Sequence, residues 1–138
     1  MKVQKAGCIL IDVKTKKVGL IFRQKQKDYS FPKGHQEEGE TLEACAIRET
    51  AEETKRDCYL LSNEPLGVLK YIDSVGDETE TYYYLARDEG ASKNDCTDTH
   101  ELHWIDFNDV EKTLSYQNLK DFWNQIKNTI IKNKVIKK

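Results

Sequence analysis

The chain has 138 residues, 33% of them charged and 38% hydrophobic, with a formal net charge of -2. That length suits one domain over 1–138 with a core of its own, and the balance of charge argues against a disordered chain. A net negative charge disfavours a binder of long nucleic acid, and no run of about 18 apolar residues is present to cross a bilayer.

Ala6–Val13 and Lys17–Arg23 are short β-prone runs separated by a polar Lys-Thr-Lys, which predicts a hairpin. The first of them turns polar without a small-residue cleavage site, so it reads as a strand and not a signal peptide. Residues 24–40 are polar and punctuated by Pro32, Gly34 and Gly39, a loop long enough to suggest function. Thr41–Thr54 has no Pro or Gly and reads as a helix, with Thr41 or Glu40 placed to cap its first turn. Strand-like runs follow at Cys58–Leu61, Leu66–Ile72, Glu78–Ala86 and Leu102–Ile105, with a turn at 74–77. Helical segments at 107–114 and 117–131 close the chain, the last with Leu119, Phe122, Trp123, Ile126, Ile130 and Ile131 at core-packing spacing. This order predicts an α/β (α+β) fold: a mixed sheet with helices on both faces.

Cys8, Cys45, Cys58 and Cys96 form no close pair, the nearest being 13 residues apart. With no secretion signal, they read as reduced thiols of a cytoplasmic protein. The tail from Lys127 to Lys138 carries five lysines and no acid, as a solvated helix end does.

Chemistry concentrates in the 41–54 helix. Glu49, Glu52 and Glu53 continue the apolar stripe of Leu42, Cys45 and Ala46 instead of occupying the opposite face. Carboxylates on a packing face are costly unless they are paired or bind cations. At i, i+3 and i+4 they gather hard oxygens suited to Mg²⁺ or Mn²⁺. The competing reading is a solvated helix with ordinary ion pairs, for which Arg48, Lys55 and Arg56 are few partners. Arg48 is placed to orient a carboxylate, and the loop glycine Gly34 to turn a carbonyl towards a metal.

Gly34, five residues, Glu40, seven residues and then Arg48-Glu49-Thr50-Ala51-Glu52-Glu53 resembles the Nudix box at every charged position. Thr50, Lys55 and Arg56 depart from it, standing where the box has an aliphatic residue, a helix-ending glycine and a second aliphatic residue. The resemblance implies a Nudix-like α/β/α sandwich and a metal-dependent hydrolase of diphosphate linkages in small nucleotides. It implies Glu52 and Glu53 as metal ligands, Glu49 as ligand or water activator, Arg48 orienting Glu49, and Glu40 supporting the loop or the metal's waters. Pro32-Lys33-Gly34-His35 is similar to the diadenosine tetraphosphate hydrolases, which implies Lys33, His35 and Arg23 near phosphate. In that branch the TYYYLAR segment implies Tyr82 or Tyr84 against the base, and the segment around Trp104 implies Glu101 as a further carboxylate. A nucleoside-triphosphate or diphosphoinositol pyrophosphatase and a non-catalytic nucleotide-binding module stay open as alternatives.

Overall fold

The computed structural model describes residues 2–93 and 99–132. Cys96 and the end of the lysine-rich tail lie outside the described residues. Eight strands form one mixed sheet: β1 (Lys2–Asp12), β2 (Lys17–Arg23), β3 (Asp28–Ser30), β4 (Lys33–His35), β5 (Arg56–Leu60), β6 (Gly67–Ile72), β7 (Glu78–Ala91) and β8 (Glu101–Asp106). Among the described residues three α-helices accompany them: α1 (Leu42–Thr54), α2 (Val110–Thr113) and α3 (Gln117–Lys132).

The sheet is built on β1 and β7, which run parallel from Lys2↔Glu78 to Ile11↔Arg87. Alternation along this pair divides the core. Ile9, Ile11, Tyr83 and Leu85 face α3, packing with Leu119, Phe122, Trp123, Ile126 and Ile130. Ala6, Cys8, Tyr84 and Ala86 face the other way, against Cys45 and Ala46 of α1. Helices therefore cover both faces, as the order of elements predicts.

The strands beside β1 splay. β1 pairs with β2 only through Leu10–Asp12, and its earlier residues Lys5–Gly7 pair with β4 instead. β2 in turn pairs through Ile21–Arg23 with β3. The predicted loop at 24–40 thus contains two short strands, invisible to a pattern search because three residues show no periodicity. Gly7 is needed here: a Cβ on it would stand 2.0 Å from the Pro32 carbonyl oxygen where the backbones cross.

Other boundaries shift for reasons of pairing. β1 begins at Lys2 and β7 runs on to Ala91, because β7 pairs with β1 and, through residues 86–91, with β5. The predicted helix at 107–114 is a 3₁₀ turn, Phe107–Asp109, followed by the single turn of α2. On α1, Thr50 and Thr54 are buried beside Cys45 and Ala46. Thr50 is therefore a core residue where the family pattern has an aliphatic one. Cys8, Cys45 and Cys58 are free thiols. No helix of the described residues is long and apolar enough to cross a membrane.

Thr41 caps α1 by accepting the Ala44 N–H at 3.1 Å. At the other end Lys55 takes the left-handed conformation, φ 59° and ψ 28°, and its N–H bonds to the Ala51 carbonyl. The chain keeps the geometry of a glycine exit without the glycine, at a cost of about 1 kcal/mol. Lys55→Gly is expected to raise the unfolding free energy by up to about 1 kcal/mol, the unfolded-state entropy of glycine offsetting part of the gain. Urea unfolding checks this; a lower stability in the variant would show that the lysine is not strained there.

Candidate active site

α1, β4 and the loop between them carry a compact set of ionised groups. Arg48 is its centre. Its Nε and Nη2 donate to the two oxygens of Glu40 at 2.7 and 3.0 Å, and Nη2 also donates to the His35 carbonyl at 2.9 Å. Nη1 lies 3.2 Å from both Glu49 and Glu52 and 3.3 Å from Glu37. The principal partner of Arg48 is thus Glu40, in a bidentate pair that holds the Glu40 carboxyl down at about 2. Glu40 also accepts the Glu37 N–H at 3.0 Å, so this pair fixes the loop to the helix.

The three helix carboxylates divide. Glu49 and Glu52 turn to Arg48. Glu53 turns to β4, where it accepts the Lys33 backbone N–H at 2.8 Å, with His100 Nε2 3.8 Å from its other oxygen. The Glu53 side chain is 17% exposed. Burial pushes its carboxyl up to about 7, the Glu49 charge adding to the rise and the Lys33 contacts opposing it. Burial also raises Glu49, opposed by Arg48 and reinforced by Glu52. Among the described residues no three His, Cys, Asp or Glu side chains converge round a point that would hold a metal ion. The carboxylates nonetheless fit a cation by their chemistry: an all-oxygen set, two of whose members, Glu49 and Glu53, are partly desolvated. Gly34 completes the fit, since a Cβ there would lie 2.0 Å from the Glu49 carboxyl carbon. Its own carbonyl faces the Cys45 thiol at 3.6 Å.

Beside Glu53 opens a cleft of about 460 Å³, at the splay of β1 and β2. Lys5, Arg23 and Lys33 line it, with Tyr71, Tyr83, His100 and Tyr116. Burial lowers the proton affinity of Lys33. Arg23 is fixed by two bonds to Asp28, at 2.8 and 2.6 Å, and the Tyr116 hydroxyl donates to the same carboxylate. β3 thereby holds both a base and an aromatic ring on the cleft wall.

Of the residues expected from the sequence, Arg23, Lys33 and Glu53 meet in this cleft, and Glu40, Arg48, Glu49 and Glu52 meet in the adjoining ion cluster. Four lie elsewhere. Tyr82 and Tyr84 point to the α1 face, where Tyr84 donates to Glu43 at 3.0 Å and Tyr82 to Glu80 at 3.3 Å. The strand's alternation puts Tyr83 in the cleft instead. His35 is exposed in a separate hollow with Lys2 and Gln4, and only its carbonyl serves the site. Glu101 bonds to His103 at 3.1 Å and lines a neighbouring hollow with Phe22 and Lys25. Lys5, Tyr71, His100 and Tyr116 were missed as cleft residues; each sits in a segment whose local pattern carries no signal beyond strand or loop.

The model of the NUDIX domain matches residues 1–126. The chain belongs to the Nudix family, whose hydrolases generally use divalent metal ions. It is 33% identical over 103 residues to the putative mutator protein MutT4 of Mycobacterium tuberculosis, covering 72% of this chain and 41% of that one. It is 29% identical over 102 residues to the 8-oxo-(d)GTP phosphatase of Mycolicibacterium smegmatis, covering 74% and 31%. The chain thus spans less than half the length of these relatives. The Ap4A hydrolase of C. elegans superposes with a TM-score of 0.72 at 22% identity, covering 94% of this chain and 99% of that one.

Asp28 is held below its ordinary value of 3.8, chiefly by the Arg23 hydrogen bonds. Its stabilising contribution is therefore complete above that value and lost as the pH falls through the lower folded one. Asp28→Asn is expected to cost about 1–2 kcal/mol at neutral pH, discounted for the partly exposed Arg23. The gap to wild type should close in acid. Urea unfolding between about pH 7 and pH 2.5 checks this; a gap that does not change with pH would assign the loss to packing.

Proposed function

We propose that the chain hydrolyses a diphosphate linkage in nucleotide substrates, with dinucleoside polyphosphates such as diadenosine tetraphosphate as its preferred class. One observation carries this reading: the buried Glu53 carboxyl opens into a cleft whose wall supplies three basic side chains and two tyrosine rings, Tyr71 and Tyr116. Lys5, Arg23 and Lys33 bind and orient the phosphate chain, and the tyrosine rings offer faces for a base. Glu49, Glu52 and Glu53 would hold Mg²⁺ or Mn²⁺, with Gly34 leaving room for the Glu49 carboxylate and Glu40 buttressing Arg48. A divalent cation bound there supplies charge that polarises the diphosphate oxygens and favours attack by water. Arg48 keeps Glu49 and Glu52 in place through its Nη1 contacts. Glu53 is fixed against β4 by the Lys33 N–H, so its distance from the cleft is set by backbone.

A second reading has its own support. The relatives named as a mutator protein and an 8-oxo-(d)GTP phosphatase favour a nucleoside triphosphate, which the cleft volume also admits.

A panel of diadenosine polyphosphates, nucleoside triphosphates including 8-oxo-dGTP, and a diphosphoinositol separates these readings, with products resolved by chromatography. Diadenosine tetraphosphate is expected to give ATP and AMP in Mg²⁺ or Mn²⁺, and chelation to stop the reaction. Preference for a triphosphate would replace the substrate and keep the chemistry; tight nucleotide binding without cleavage would leave a binding module. Glu53→Gln, which retains an acceptor for the Lys33 N–H, is expected to lower kcat/KM by about 100-fold or more with the melting temperature little changed. Rates near wild type in that variant would remove Glu53 from the site.

A further inference from the structure

Among the described residues, three buried hydroxyls have no hydrogen-bond partner: Thr50, Thr81 and Tyr83. Only Tyr83 also lines the cleft. Its ring is fully buried and fixed on two sides, 5.5 Å from the Phe31 ring and 5.3 Å from the Phe122 ring. Phe122 is held close in turn, because Gly67, paired with Tyr83 across the strands, leaves space that a Cβ would take at 3.0 Å from the Phe122 ring. The position asks for an aromatic residue facing α3, and phenylalanine would fill it without an unmet polar atom. A buried hydroxyl left unsatisfied is a cost that packing does not explain.

A ligand whose acceptor reached the hydroxyl would remove that cost, and because the hydroxyl exposes under 1 Å² the contact needs a small shift of the cleft wall. Burial drives the phenol well above its ordinary value of 10.0, so the group stays protonated and acts as a donor. No protein group among the described residues supplies the acceptor. The cationic residues of the cleft, Lys5, Arg23 and Lys33, draw phosphate. Base rings have tyrosine faces elsewhere on the wall, at the half-buried Tyr71 and the exposed Tyr116. We infer that the Tyr83 hydroxyl donates a hydrogen bond to a phosphoryl oxygen of the bound nucleotide, making Tyr83 a substrate-contacting residue at the floor of the cleft. This rests on the cleft being the nucleotide site. The strand's alternation gives the assignment its sharpness, because Tyr82 and Tyr84 on either side have internal partners, Glu80 and Glu43.

The test compares wild type with Tyr83→Phe, which keeps the ring and deletes the donor. Binding of a methylene-bridged diadenosine tetraphosphate in Mg²⁺ is measured by calorimetry, so turnover is not required, and adenosine serves as the ligand without phosphate. The variant is expected to bind the polyphosphate about 10- to 100-fold more weakly and adenosine as wild type does. Its ligand-free melting temperature should be equal or higher, because an unsatisfied donor has gone; a residue of purely structural value would move the other way. Equal polyphosphate affinity in the two proteins, or a ligand-free melting temperature lowered by several degrees, would overturn the inference and leave the hydrolase reading standing. An equal loss for adenosine would overturn the assignment to phosphate. Wild type that binds none of these ligands would overturn both, since the cleft would not be a nucleotide site.

Discussion

The hydrogen bond from the Lys33 amide to Glu53 is the contact on which the site depends. It joins a three-residue strand to the last turn of a helix, beside the contacts that Arg48 and Cys45 make to the His35 and Gly34 carbonyls. Two glycines make the approach possible. Gly7 lets the Pro32 carbonyl cross β1, and Gly34 leaves its Cβ space to the Glu49 carboxylate. A side chain at either place would push β4 off the sheet or off the helix. Because β4 also carries Lys33 into the cleft, the same few atoms set both the acidic and the basic wall.

The electrostatics follow from that closeness. Arg48 brings one guanidinium to four carboxylates, those of Glu37, Glu40, Glu49 and Glu52, and gives its bidentate geometry to Glu40. Glu40 is therefore the settled member, held at about 2, while Glu53, beyond the reach of Arg48 and partly desolvated, is held at about 7. Two acids on adjoining elements acquire opposite characters through their surroundings alone. Only the second faces the cleft.

How much of this the sequence could disclose depended on whether a feature is local. The ion cluster was legible because its members lie within 34–53, and a helix fixes which of them share a face. The mixed sheet with helices on both faces was legible for the same reason, from the order of strong local patterns. The cleft was not. Lys5, Tyr71, His100 and Tyr116 lie far apart in the chain and meet only through tertiary contacts: strand pairing for the first two, the Glu53 carbonyl for His100 and the Asp28 carboxylate for Tyr116. The tyrosine run shows the limit well: alternation says that Tyr83 faces opposite to Tyr82 and Tyr84, but which face holds the cleft is decided by where α1 and α3 pack. Lys55 shows another limit. The backbone bend expected of glycine is present although the residue is lysine, because neighbouring pairing holds the exit in place.

The parallel pairing of β1 with β7 has a consequence for assembly. It joins residue 2 to residue 78 and residue 11 to residue 87, so the sheet's central ladder closes only after residue 87 has been made. Such distant pairing demands a large loss of chain freedom before any contact compensates, and it makes folding slow. During synthesis β1 waits unpaired on its β7 side while α1 and the acidic cluster are already outside the ribosome. Glu53 owes its altered character to burial beside β4 and the cleft walls, so the site is a product of the completed topology and not of the helix alone.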